Sequence, residues 1–495
     1  MAVSSFAANP LAPDWLSVPD DANALVSGLW SRTVSRDAGE LTVGGVRSSE
    51  LVAHYGTPLY VVDEADVRAR AAETRSAFVD AFERIGSAAK VYYAGKAFLS
   101  IEVARWMTEA GLNVDVCSGG ELAVALAAGV DPMNLGFHGN NKSLAEIDRA
   151  VSVGIGAIII DSAQEIERVA AAAERHGRVQ RVRLRVNSGV HAHTHAFLAT
   201  AHEDQKFGIA LADATDAVAA IRQHPALDFL GLHCHIGSQI FGADGFAESA
   251  ARLLAVHKRL LVGGHVPELN LGGGFGVAYT AADDPSPIRE LASRIAETVA
   301  AACADLDIPV PVVAFEPGRS IIGTAGLTLY TAGTSKDVRV AYQDDGETAV
   351  RRYVSVDGGM SDNARTALYG ADYSVRIANR VTDAPPALVR VAGKHCESGD
   401  IVVDADYLPA DVAPGDVLAV AATGAYCWSL ASNYNHVGRP AVVAVRDGSS
   451  RVIVRGETEA DLLARDAAYV PSAAAEPATA YPATEQPTDG EGAQA

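Results

Sequence analysis

Apolar positions along this chain fall into two textures. Between about residues 50 and 320, short aliphatic runs alternate with longer alanine-rich stretches whose apolar residues recur every three or four positions. The short runs lie at 91–94, 113–116, 135–138, 157–160, 182–186, 229–233, 268–271 and 312–315. Stretches such as "AEIDRAVSVG" and "SAQEIERVAAAAERHG" separate most neighbours and carry the helical period. Strand and helix in alternation predict a parallel sheet. Eight such units over about 250 residues predict an α/β fold, the closed (β/α)8 TIM barrel.

Beyond residue 320 the texture becomes β-rich. "RRYVSVDGG", "ALVRVAGKHCESGDIVV", "GDVLAVAATGAY" and "RPAVVAVRDGSSRVIVR" are strand-like runs broken by Gly and Asp, and "RDGSSR" between two valine runs reads as a hairpin. These runs predict a C-terminal β-barrel or sandwich domain. "ELTVGGVRSSEL" near residue 40 is also strand-like and can join it, with the barrel inserted. The expected layout is a loosely structured extension over 1–25, a β domain from 26–49 and 320–466, a barrel over 50–319, and a tail from 467 to 495. The tail is rich in Ala, Pro, Thr and Glu, too poor in large apolar groups to offset ordering, so disorder is expected there.

With 495 residues and 49 % hydrophobic content, the chain can fill two cores. Its net charge of −21 repels phosphate backbones and anionic lipid, so neither nucleic acid nor a membrane surface is an expected partner. Five cysteines without a CxxC spacing argue against a disulfide framework or a structural zinc site and fit a reducing cytoplasm. No apolar run has transmembrane length, and no basic residue precedes Arg32, so a signal peptide is not expected.

Barrel chemistry sits where the strands end, at their C-terminal face. The residues there are polar or glycine after every run: Gly95-Lys96, Cys117-Ser118, His138-Gly139, Asp161, Asn187, His235-Ile236-Gly237-Ser238, Gly272-Gly273-Gly274 and Glu316-Pro317-Gly318-Arg319. The loops after strands seven and eight commonly bind phosphate in such barrels, and glycines let backbone N–H groups approach the oxygens. A phosphorylated cofactor that takes a lysine amine is pyridoxal 5'-phosphate: its aldehyde condenses with the amine and its ring accepts electrons from a substrate carbanion. Lys96 is the candidate amine, Glu316 the candidate carboxylate beside the ring nitrogen, and His235 the candidate stacking group. "HAHTH" (His191, His193, His195) and "HCH" (His233, His235) form a competing pattern, because alternate residues share a strand face and could pair on a metal. Lys96 at the first strand end and glycines after the seventh disfavour that, and no metal is expected.

The ordered set "YYAGKAF", "DVCSGGEL", "HGNNKS", "HTHAFLATAHEDQKFG", "HCHIGSQI", "LGGGFG", "EPGR", "SVDGGMSDNARTALYG", "GKHCESGD" and "TGAYCWSLASNYN" resembles the diaminopimelate decarboxylase family of fold type III pyridoxal-phosphate enzymes. The likeness spans nearly all of residues 45–465. It implies decarboxylation of meso-2,6-diaminopimelate to L-lysine in a homodimer with shared active sites. It implies that Lys96 carries the cofactor covalently, His235 stacks on the ring and Glu316 bonds its nitrogen. Ser238, Gly274 and the loop Glu316, Pro317, Gly318 and Arg319 would hold the phosphate. Arg319, Arg365 and Tyr369 would bind substrate carboxylate, and Tyr426 would touch cofactor and substrate. Cys396, as proton donor, and Glu397, as reader of the distal amine, would enter from the partner subunit. Arginine's fork matches a carboxylate in two parallel bonds, and the carbanion left by lost carbon dioxide needs one positioned acid. The family's lysine motif often ends in Asn where Phe98 stands here. The alternatives are a decarboxylase of another basic amino acid such as ornithine or arginine, a metal-dependent barrel hydrolase, and a cofactor-binding barrel without catalysis.

Overall fold

The protein is described from a computed structural model, which covers residues 8–190, 205–342 and 346–470. The tail from 471 on and His191, His193 and His195 lie outside the described residues.

Eight parallel strands close into a barrel: Ala89–Ala94, Asn113–Val116, Leu135–Phe137, Ala157–Ile160, Gln180–Asn187, Leu227–His233, Glu268–Asn270 and Val312–Phe315. Each overlaps one of the eight apolar runs, as the alternating pattern predicts. The strands are buried on both faces, so they read as continuous apolar runs. Helices start where the sequence supplies side-chain caps. Ser100, Ser118 and Ser143 accept from the backbone N–H three residues on, and Glu146 completes a capping box with Ser143. Between the barrel wall and its helices sits an aromatic cluster. Phe78 stacks on Phe315 with ring centres 4.0 Å apart, and Phe275 and Phe246 stack at 4.8 Å. Near the strands' beginnings the barrel interior holds a buried ion pair, Arg183 with Glu268 at 2.6 Å, flanked by Lys90 and the Tyr92 hydroxyl.

The second domain is a sheet ordered Ile401–Pro409, Pro386–Ala392, Thr348–Val356, Gly326–Ala341, Leu59–Asp63, Val442–Arg446, Ser449–Val454. The 16-residue strand Gly326–Ala341 organises it. Its first part pairs with Leu59–Asp63 and Val417–Val420, and its later part with Thr348–Val356. The expected barrel start at residue 50 is therefore too early. Leu59–Asp63, an unbroken apolar run, is a central strand of the second domain, and the barrel is entered only through the helix Glu64–Glu83. The strands Ser35–Asp37, Glu40–Val43 and Val46–Arg47 form a small sheet of their own, with Leu41, Val43 and Val46 packed in one cluster with Leu59, Leu327 and Val443. The extension is also more ordered than its prolines suggest: Leu11, Ala12, Leu16 and Val18 pack on Leu388, Ala405 and Tyr407. Between the domains, Glu64 at the start of its helix is buried against Arg68, Arg446 and Arg451, the last at 2.7 Å. No helix among the described residues is long and apolar enough to cross a membrane.

Phe315 carries the helix layer onto the eighth strand, one residue before Glu316. Phe315→Ala is expected to destabilise the barrel by about 3–5 kcal/mol, read as a lowered urea midpoint with little change in secondary structure of the surviving folded fraction.

Candidate active site

Barrel closure sets the first strand beside the eighth, Val313↔Ala89 and Phe315↔Val91, so the loops carrying Lys96 and Glu316 are neighbours. The N–H of Ala94 donates to Pro317 O at 3.0 Å and ties them. Lys96 sits in the single turn Gly95–Ala97. Gly95 is required there because a Cβ would lie 2.7 Å from the backbone oxygen of Asp115. The turn thus hugs the second strand and presents Lys96 to a cavity of about 930 Å³ at the barrel mouth. Of the residues expected to act, Lys96, His235, Ser238, Glu316, Arg319, Arg365, Tyr369 and Tyr426 all line this cavity. The Lys96 ammonium is close enough to Asp115, Cys117, His138 and His235 for its charge to act on each.

At the cavity floor Glu316 is buried. Its Oε1 accepts from Asn270 Nδ2 at 2.7 Å, and its Oε2 accepts from His233 Nε2 at 3.3 Å. Burial by itself raises its pKa, but the imidazoles of His138, His233 and His235 outweigh burial and hold the carboxyl well below its usual range. Burial, reinforced by the Glu316 charge, pushes Asp115 the other way, well above the carboxylate range. Of two carboxyl groups around one imidazole, Glu316 is therefore the stronger acid and Asp115 the weaker. His138 Nε2 lies 3.2 Å from Asp115 Oδ1 and 3.5 Å from Glu316 Oε1, within ion-contact range but without hydrogen-bond alignment. Burial pushes His138 and His233 down to about 4, so both are neutral at neutral pH. With its proton on Nε2, His233 leaves Nδ1 as an acceptor.

Three loops meet at the side of the cavity where a phosphate is expected. Gly274, at φ +108, brings its backbone against Gly237, where a Cβ would lie 2.2 Å from the Gly237 oxygen. Arg319 Nη2 donates to Ser238 Oγ at 2.8 Å, joining the loops after strands six and eight. The Arg319 guanidinium is further fixed by the Tyr279 hydroxyl and by the Tyr426 ring, 4.6 Å away. His235 Nδ1 accepts from Gly273 N–H at 3.3 Å, which fixes the imidazole at the lip.

The second domain supplies the remaining wall. Tyr426, in the left-handed region at φ +69, donates its N–H to Ala97 O at 2.7 Å, and Ser429 Oγ donates to the same oxygen at 3.0 Å. The segment is thereby pinned to the turn that carries Lys96. Phe98 meets Trp428 edge-on at 5.2 Å, so an aromatic contact occupies the place where the family often has Asn. Arg365 is buried, bonded to the Tyr373 hydroxyl, with its guanidinium 4.6 Å over the Tyr279 ring. Burial works against the Arg365 charge, yet Tyr279 and Tyr373 hold its pKa above the ordinary value.

Cys396 and Glu397 do not line the cavity of their own chain. Both are exposed on the loop between Pro386–Ala392 and Ile401–Pro409. Asp400 braces that loop, accepting from Met360 N–H at 2.6 Å and His395 N–H at 2.7 Å. Sequence reading missed Asp115, His233 as a Glu316 partner, and Arg185, all at the cavity. For Asp115 a signal existed: an acid inside the apolar run "NVDV".

The residues fit pyridoxal phosphate. Both Asp115 oxygens, His138 Nε2 and His233 Nδ1 are buried without a hydrogen-bond partner among the described residues, a polar floor that a ring nitrogen can complete. His138, His233 and Glu316 also offer donor atoms within 4.8 Å of one another, the group a metal reading would use, and the same Glu316 is already bonded to Asn270.

Two family models match: the pyridoxal binding domain of pyridoxal-dependent decarboxylases over residues 65–323 and their C-terminal sheet domain over 324–424. The chain is 52 % identical over 450 residues to the diaminopimelate decarboxylase of Mycobacterium tuberculosis, covering 89 % of this chain and 98 % of that one. It is 43 % identical over 432 residues to that of Bacillus subtilis, covering 86 % and 95 %. The crystal structure of diaminopimelate decarboxylase from M. jannaschii in complex with L-lysine superposes with a TM-score of 0.80 at 31 % identity, covering 89 % of this chain and 98 % of that one.

An unfolded imidazole takes its proton near pH 6.5, whereas folded His138 and His233 take theirs near 4. The unfolded state then binds more protons within that window, so stability is complete above about 6.5 and falls as pH drops towards 4. Thermal midpoints across this range are expected to fall, and His233→Gln to give the shallower slope.

Proposed function

The chain belongs to the pyridoxal-dependent decarboxylases, and from that premise we propose that it converts meso-2,6-diaminopimelate to L-lysine and carbon dioxide, the closing step of lysine synthesis. The observation that carries the substrate is the second guanidinium. Arg319 is tied to Ser238 and serves the phosphate side, while Arg365, buried on the other domain, is left for a further anion in the same cavity. A substrate with two carboxylates needs such a clamp, because the end that is not cleaved must be held. A substrate of the ornithine or arginine type brings no second carboxylate.

Bound pyridoxal phosphate supplies an electron sink for the carbon that loses its carboxylate. Lys96 would hold the cofactor covalently through its amine. Glu316 would pair with the ring nitrogen and favour its protonated form, with neutral His233 and Asn270 steadying the carboxylate. His235 would stack on the ring. Ser238, Gly274 and the Glu316–Arg319 loop hold the phosphate, and Tyr426, fixed to Ala97, bridges cofactor and substrate. Arg365 and Tyr369 hold the distal carboxylate.

The proton that replaces carbon dioxide comes from Cys396, and Glu397 reads the distal amine, both supplied by the partner in a cytoplasmic homodimer. Their exposure on a braced loop, away from their own chain's cavity, supports this. So does the exposed apolar surface of Leu368, Tyr369, Leu430 and Tyr434.

Offered diaminopimelate, lysine, ornithine and arginine separately, the purified enzyme is expected to release carbon dioxide only from the first. Comparable release from ornithine or arginine sinks the substrate assignment. Lys96→Ala is expected to abolish the visible absorbance and all turnover. Arg365→Lys, which keeps charge and loses the fork, is expected to lower kcat/KM for diaminopimelate about 100-fold, roughly 2.7 kcal/mol, with cofactor affinity unchanged by titration.

A further inference from the structure

The N-terminal extension reaches the active site. Trp15, half-buried, is part of the cavity wall along with Tyr369, Gly370, Ala371 and Asp372. Two successive turns place it there: Ala12 N–H donates to Asn9 O at 2.9 Å, and Leu16 N–H to Pro13 O at 2.9 Å. Trp15 thus stands at a corner of the second turn, while Leu11, Ala12, Leu16 and Val18 around it grip Leu388, Ala405 and Tyr407. Asn9 adds a polar anchor, its Nδ2 donating to Val350 O at 2.8 Å, just past the last paired residue, Arg352, of that strand with Pro386–Ala392. The helix Arg365–Tyr369 is attached to the same strand as the extension, Thr366 Oγ1 donating to Val402 O at 3.1 Å, while Ala405 and Tyr407 receive Leu11 and Leu16. Trp15 and the Arg365 clamp are therefore mounted on one support.

We propose that Trp15 is a substrate-positioning residue: its indole walls the substrate end of the cavity, shields the Arg365–carboxylate contact from water, and packs on the aliphatic chain between the two charged ends of the substrate. The inference rests on the diaminopimelate reading for the ligand it positions. An ion pair open to water contributes little, and the same pair under an apolar cover contributes much more. A large ring held by an apolar anchor supplies that cover at small entropic cost, because a tryptophan side chain has only two rotatable bonds. The cofactor's phosphate side, built from Gly274, Ser238 and Arg319, has no need of it.

The experiment compares wild-type holoenzyme with Trp15→Ala, Trp15→Phe and Leu16→Asp, the last to loosen the anchor while leaving the indole in the chain. Trp15→Ala is expected to raise KM for diaminopimelate about tenfold, with kcat within about twofold, and with cofactor absorbance and melting temperature unchanged. L-lysine binding by calorimetry should weaken by a similar factor. Trp15→Phe should restore most of the loss, and Leu16→Asp should reproduce Trp15→Ala. Unchanged KM and lysine affinity in Trp15→Ala overturn the proposal, as does a loss that travels with cofactor content and melting temperature. A separate reading needs no substrate. Pyridoxal phosphate added to the cofactor-free protein should quench tryptophan fluorescence more in wild type than in Trp15→Phe, and equal quenching overturns the placement. Failure of the wild-type enzyme to act on diaminopimelate, with that difference in quenching intact, counts against the substrate and not against Trp15 as a wall of the cavity.

Discussion

A carboxylate kept ionised at the bottom of a protein cavity is the constraint around which this active site is organised. Desolvation alone would drive a proton onto Glu316. Asn270 and His233 counter it with directed N–H groups, and both come from strands that neighbour the eighth in the closed barrel or lie one strand further on. The neutrality of the histidines is part of the device. Pushed down to about 4, His233 donates one N–H without adding a second buried charge. Asp115 is pushed the other way by burial and by the Glu316 charge, and so is the weaker acid of the two. The result is a carboxylate held at the cavity floor by directed N–H groups rather than a diffuse acidic patch.

The other organising contact is a seam. Tyr426 and Ser429 both donate to the Ala97 oxygen, one residue beyond Lys96, so the second domain grips the turn that bears Lys96. Glu64 with Arg446 and Arg451 closes the same seam on the outside of the barrel. Neither domain alone makes the cavity. The barrel brings Lys96, His235, Ser238, Glu316 and Arg319 to its wall, and the sheet domain brings Arg365, Tyr369 and Tyr426. A cleft between two rigid units suits a reaction in which a flexible, doubly charged substrate must be held at both ends while one bond is aligned with the cofactor ring.

Much of this was legible in the chain itself, for reasons of periodicity. Strands buried on both faces must be continuous apolar runs, so all eight barrel strands are visible in the pattern. Residues at their C-terminal ends must leave that pattern, so Lys96, His235, the glycine loop and Glu316 stand out as polar or glycine interruptions. The motif order then carries the family. The pattern failed where burial has no local signature. Leu59–Asp63 falls inside the expected barrel bounds although it is not one of the eight runs, and only hydrogen-bond pairing with Gly326–Ala341 assigns it to the other sheet. The extension looks loose because its prolines forbid regular elements, yet four apolar side chains find a partner surface nearly 400 residues away.

The sequence by itself determined the alternation that closes the barrel, the amine at its first strand end, and the glycines that let backbones pass close to one another, because these follow from local side-chain size and polarity. Tertiary structure decided which carboxyl group is the stronger acid, which imidazoles are neutral, that Cys396 does not line its own chain's cavity, and that Trp15 does. Those outcomes depend on desolvation and on distances between residues remote in the chain, and neither quantity is written in any short stretch of it.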